Sequence, residues 1–170
     1  MSVSNEVNEL KVALKDFLSL LQEIQNQRER YEEMIEGLGA VGGPELSDMP
    51  KGPPHPSDKI GAIVVRVEKL RDEIASMEAR QLEFEDRLEA VLAYLKRPDE
   101  TNIMRLRYMD GKSWRKIAER FYQKRGERVT MSNQDACIRC VQALHGSALA
   151  HIVEICNEKP QLRFWETSSD

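Results

Sequence analysis

Apolar residues recur at alternating three- and four-residue steps from Val7 through Leu10, Leu14, Phe17, Leu21, Ile24, Tyr31 and Ile35 to Leu38, with Arg28 standing in one apolar position. A stripe with a period of about 3.5 residues stays against a partner helix along its whole length. The pattern predicts a coiled-coil helix over residues 1–38. Glycines and prolines then crowd residues 37–56, where no regular helix is expected to continue, and residues 39–57 are read as a linker. Ser57 and Asp58 are N-cap residue types, and the same spacing resumes at Ile60, Ile63, Val67, Leu70, Ile74 and Met77, skips at Gln81, and continues through Phe84, Leu88, Val91 and Leu95. This predicts a second coiled-coil helix over 58–97. At about 1.5 Å per residue it would run on the order of 55 to 60 Å, too long to bury its stripe without a helical partner. Helix one folded back as an antiparallel hairpin is one candidate partner. A second copy of the chain, making a homodimer, is the other. Arg28 and Gln81 could set register in either arrangement, or be polar residues tolerated near a frayed seam.

Beyond Arg97 the pattern changes to short amphipathic segments, read as one unit over 98–159. Pro98 disfavours helix at Arg97, and Asp99 can cap a helix carrying Ile103, Met104, Leu106 and Tyr108. Asp110 and Gly111 suit a turn, and Ser113 can cap a helix with Trp114, Ile117, Ala118 and Phe121 inside. Trp114 is read as a core residue in preference to a base-stacking one. After a basic stretch, Ser132 is read as opening another helix, with Ala136, Cys137, Cys140, Val141 and Leu144 inward and Asn133, Gln134, Arg139 and Gln142 outward. Two short helices joined this way, with a small residue at their crossing, predict a helix-turn-helix. The expected fold is therefore all-α: a long antiparallel coiled-coil hairpin followed by a C-terminal helix-turn-helix domain. The helical pattern continues through Ala148, Ile152 and Ile155, long enough to pack on the coiled coil, while the tail 160–170, with Phe164 and Trp165 among polar residues, is read as disordered in preference to a partner-binding segment.

Charge sharpens this picture. Lys and Arg minus Asp and Glu is 12 − 19 = −7 over residues 1–96, 10 − 5 = +5 over 97–130, and 3 − 5 = −2 over 131–170, which recovers the net −4. A phosphate backbone responds to local potential, so the positive segment matters more than the acidic total. Double-stranded DNA is the expected partner. Lys112, Arg115, Lys116, Lys124, Arg125 and Arg128 are candidates to hold phosphates. Ser132 lies at the start of the expected recognition helix. Asn133 and Gln134, whose amides can pair with adenine, and Arg139, which can pair with guanine, are candidates to read bases.

The three cysteines, Cys137, Cys140 and Cys156, do not resemble a disulfide framework. Cys137 and Cys140 with His145 and His151 make a zinc site conceivable, but burial as small apolar side chains is the preferred reading, and no metal or cofactor is expected. No apolar run approaches the roughly 20 residues of a membrane span, so no membrane contact and a cytoplasmic location are expected. Glycine-rich phosphate loops, HExxH and nucleophile elbows do not occur, and Glu73, Glu78, Glu83 and Glu85 read as solubilising charge, so no enzyme is expected.

Leu106-Arg107-Tyr108, Gly111-Lys112-Ser113-Trp114 and Ile117-Ala118 resemble the signature of phage-encoded regulators of the ArpU-like and RinA-like kind, whose C-terminal part is similar to region 4 of bacterial sigma factors. Met49-Pro50-Lys51-Gly52 followed by Ser57-Asp58-Lys59 is similar to members of the same group, so the resemblance covers roughly residues 45 to 145. It implies a transcriptional regulator of phage or prophage genes, with activation the expected direction and host RNA polymerase a further candidate partner. The chain departs from sigma-like units in the length of the connection between Phe121 and Met131. Either the first helix runs on to about Lys124, or the loop forms a basic wing that touches a phosphate. The competing function is a phage DNA-packaging or assembly protein, like a small terminase subunit, although there the DNA unit would be expected ahead of the oligomerisation helices.

Overall fold

The computed structural model describes residues 3–40 and 57–165, and all of its regular structure there is helical: α1 (Val3–Ala40), α2 (Ser57–Leu92), α3 (Pro98–Tyr108), α4 (Trp114–Gln123), α5 (Gln134–Glu158) and a closing 3-10 turn, Pro160–Leu162. The expected linker, apart from its ends, the Met49–Gly52 motif and the last five residues of the tail lie outside the described residues. The chain divides into two compact units, one of residues 1–19 with 82–170 and the other of residues 20–81.

In the unit of residues 20–81, Ile24, Val67, Leu70 and Ile74 are buried, as the apolar stripe predicts. Arg28 is no frayed leftover: its guanidinium donates to Glu78 Oε1 from Nε at 2.9 Å and from Nη2 at 2.5 Å, so Glu78 is a partner across helices as well as solubilising charge. The stripe thins beyond it, where Tyr31 and Leu38 are half-buried and Ile35 is 43% exposed. α1 nevertheless runs through Gly37 and Gly39 to Ala40, a little beyond the expected end, because neither glycine has to leave helical φ.

In the other unit, Leu10, Leu14, Phe17, Leu88, Val91 and Leu92 are buried, and Phe17 stacks on Phe84 with ring centroids 4.1 Å apart. α2 ends at Leu92, five residues before the expected Arg97. Its last amides tighten into short-range bonds, Tyr94 N to Val91 O and Leu95 N to Leu92 O, and the chain turns ahead of Pro98. Pro98 itself opens α3, with Arg97 as the N-cap, so Asp99 is not the cap. Proline is suited to that first helical position, where its missing N–H has no intrahelical acceptor to lose.

α5 is long and apolar enough, by length and composition alone, to cross a membrane, which corrects the expectation that no segment would be. Part of its apolar surface is buried within the unit. Val141, Ala148, Leu149, Ile152, Val153 and Cys156 are completely buried inside the unit. The tail is ordered as far as it is described. Phe164 meets Phe84 edge-on at 5.1 Å, Trp165 is 6% exposed, and Arg163 and Asn157 both donate to Glu6 near the start of α1. The Asn157 bond, with Arg163 assisting, holds the Glu6 carboxyl below the usual range against the opposing effect of its burial.

Candidate nucleic-acid interface

α3, α4 and α5 share one apolar cluster: Ile103 and Leu106 from α3, Ile117, Ala118 and Phe121 from α4, and Cys137 and Val141 from α5. Ala118 is fully buried, and its methyl group keeps neighbouring helices close. Trp114 is half-buried and packs against the edge of this cluster, with the Arg107 guanidinium 4.8 Å from its ring centre and the His145 ring edge-on at 5.0 Å.

Local bonds set the turns. Ser113 caps α4 by accepting from Lys116 N, and Gly111, at φ 60°, supplies the left-handed residue of the turn before it. Arg107 Nη1 reaches across that turn to Lys112 O at 3.0 Å. Beneath it, Tyr108 Oη and His145 Nε2 are 2.9 Å apart. Burial pushes the Tyr108 hydroxyl up to about 12, and burial beside the Arg107 and Lys11 cations pushes His145 down to about 4, so both are uncharged at neutral pH.

The long connection resolves in favour of a longer first helix. α4 continues to Gln123 with Lys124 as its C-cap, and Gly126, at φ 75°, turns the chain away. α5 begins at Gln134, with Asn133 and not Ser132 at the N-cap. The Asn133 side chain bonds backwards: Oδ1 accepts from Thr130 N at 2.7 Å and Nδ2 donates to Arg128 O at 3.2 Å. Ser132 Oγ lies 3.0 Å from Thr130 Oγ1.

No family model, curated protein or solved structure matches this chain. The geometry of the site sorts the candidate residues unequally. Lys116, Arg128 and Arg139 are exposed and make no salt bridge among the described residues, and Lys112 is half-exposed and likewise without one. Arg115 is exposed but paired with Glu119 at 3.0 Å. Lys124 and Arg125 fold back onto α3, Lys124 to Asn102 Oδ1 at 3.4 Å and Arg125 to Asp99 at 2.5 Å, with the Arg125 guanidinium over the Phe121 ring. Gln134 is half-buried.

Two residues expected inside are outside. Ala136 and Cys140 are exposed, while Cys137 and Ile138 face the cluster, because the axis of α5 is set by the whole run from Cys137 to Cys156 and not by its first turns. A hydrogen bond with Cys140, followed by burial, pushes the Tyr122 hydroxyl up to about 12. No group of three His, Cys, Asp or Glu side chains is placed to hold a metal among the described residues.

Asn133 thus holds the entry to α5 together with the same polar atoms that base reading would need. Asn133→Ala is expected to lower stability by about 1 kcal/mol, through loss of the side-chain bonds to Thr130 N and Arg128 O that tie the turn ahead of α5. Chemical denaturation checks this, and an unchanged midpoint would show that the clasp carries no weight. The sequence singled out His145 only as part of a conceivable zinc set and not as the partner of Tyr108, and it did not single out Glu100. Glu100 is an ordinary first-turn acid by position, and only its zero exposure distinguishes it.

Proposed function

We propose that α3, α4 and α5 are a helix-turn-helix unit that binds double-stranded DNA, with α5 entering the major groove. One observation carries the reading: the three helices pack around a common core with Ala118 at zero exposure, while Lys116, Arg128 and Arg139 stay exposed without salt bridges among the described residues. Lys112, Lys116 and Arg128 hold phosphates, and they contribute affinity without sequence choice. Arg139, two residues and so just over half a turn beyond the buried Cys137, reads bases with Gln134 and Gln142, and guanine is the base best matched to its guanidinium. Arg115, Lys124 and Arg125 carry less of the phosphate contact, since binding DNA would first break their pairs with Glu119, Asn102 and Asp99. Asn133 positions the helix and leaves base reading to its neighbours.

α1 and α2 form an antiparallel coiled-coil hairpin in this reading. The contacts Arg28 to Glu78, in the unit of residues 20–81, and Phe17 to Phe84, in the other unit, each lie within one chain. They favour α1 over a second copy as the partner of α2. The role we assign is that of a transcriptional regulator of phage or prophage genes, acting in the bacterial cytoplasm with host RNA polymerase as a further partner. Its support is the resemblance carried by Leu106–Tyr108 and Gly111–Ala118.

Titration of fluorescent random-sequence duplex against the full chain across salt tests the DNA reading. Affinity is expected to fall steeply with salt, and Lys116→Ala with Arg128→Ala together reduce the logarithmic slope by about 2, one counterion per phosphate released. Arg139→Ala flattens preference among selected sequences. Affinity indifferent to salt overturns the proposal.

A further inference from the structure

Met131 is 89% exposed, more than any other large apolar side chain among the described residues. It is not on a slack stretch of chain. Between Arg128 and Asn133 the backbone is tied by Asn133 Oδ1 to Thr130 N, Asn133 Nδ2 to Arg128 O, and Asn133 N to Thr130 O at 3.2 Å, with the Thr130 and Ser132 hydroxyls bonded above. Val129 packs against the apolar cluster behind the turn. The result is a pinned turn that holds a thioether side chain out into solvent three residues ahead of α5.

Its surroundings carry a net positive charge. Met131 lines a surface groove with Arg115, Glu119, Arg128, Val129, Thr130 and Gln134; Arg115 is paired with Glu119, and Arg128 makes no salt bridge among the described residues. An apolar tip beside the Arg128 cation and the Gln134 amide is complementary to a polyanion that displays an apolar group between acceptors. The major groove of DNA presents such a group in the C5-methyl of thymine, the feature by which that base is told from the others through apolar contact. Methionine suits the task, since its unbranched, polarisable side chain adapts to a small apolar target.

We propose that Met131 is a specificity residue that contacts a thymine methyl group in the major groove, aimed by the Asn133 clasp. This rests on the DNA-binding reading of α3 to α5, and the experiment separates the two. Duplexes are first selected from a random library by the full chain, and each thymine in the selected site is then replaced singly by uracil, which lacks the methyl group alone. At one position uracil is expected to weaken binding about four-fold, the worth of one methyl group withdrawn from water. Met131→Ala should bind the thymine and uracil duplexes equally and keep its affinity for unrelated duplex, while Met131→Leu retains the distinction. If uracil costs nothing at any position, or if Met131→Ala still distinguishes the two bases, the proposal fails although DNA binding stands. If the chain enriches no sequence and binds no duplex, the DNA reading fails and takes the proposal with it. A shift of Met131→Ala to a lower mass in solution would assign the side chain to contact with a second copy and overturn the proposal as well.

Discussion

Glu100→Ala is expected to lower the unfolding free energy by about 2 to 3 kcal/mol, the range for losing hydrogen bonds to a buried charged group whose charged partners stay within reach of water. The carboxylate sits in the first turn of α3 with no exposure to water. Ser147 Oγ donates to Oε1 at 2.8 Å, His151 Nδ1 lies 2.8 Å from Oε2, and the Arg97 guanidinium stands 3.6 Å away. Alanine leaves the polar atoms of Ser147 and His151 facing a cavity, so the loss combines unsatisfied groups with lost packing. Glu100→Gln keeps the volume and one carbonyl oxygen, and its cost should be less than half as great. Urea unfolding of the three proteins measures both differences. An alanine variant within about 1 kcal/mol of the parent would mean that α3 is held to α5 by apolar contacts alone.

Acid should weaken the same unit through His145. The imidazole stays uncharged because it is buried against Tyr108 and Trp114 and faces the Arg107 and Lys11 cations, which places its folded pKa near 4 against an ordinary 6.5. The unfolded chain therefore takes a proton at a pH where the folded chain refuses it. Stability from this group is complete above about pH 6.5 and is lost as pH falls towards 4, for a total of about 3 kcal/mol. Glutamine at this position can still bond to the Tyr108 hydroxyl but has no proton to gain. Unfolding free energies of the parent and His145→Gln, followed from pH 7 down to 4.5, should converge or cross as the parent loses stability faster. Parallel curves would remove His145 from the account.

Both residues act on how α3, α4 and α5 are assembled, and neither announces itself in the chain. The elements themselves were largely legible. Apolar spacing located α1, α2 and the inner residues of α3 and α4, and Ser113 and Gly111 marked the start of α4, because caps, turns and helical periodicity depend on neighbours a few residues apart. The boundary errors arose where a distant contact or a helix-end compromise decided the outcome: the early end of α2, and the ordered tail held by Glu6 and Phe84.

The candidate interface was legible as chemistry but not as geometry. Residue types and local charge singled out 97–130 as the cationic segment without any structure. Which cations are available depends on acids and amides brought close by folding, so that Arg125 is spent on Asp99, 26 residues away, and Lys124 on Asn102, while Lys116 and Arg128 make no salt bridge among the described residues. The phase of α5 was equally non-local. Its buried face runs to Cys156, which turns Cys140 outward and engages His145 with Tyr108. Periodicity and charge, which act over a few residues, set the helices and the sign of the surface from the sequence alone. Burial and pairing between residues far apart in the chain decided which side chains reach solvent, and only the tertiary structure contains that information.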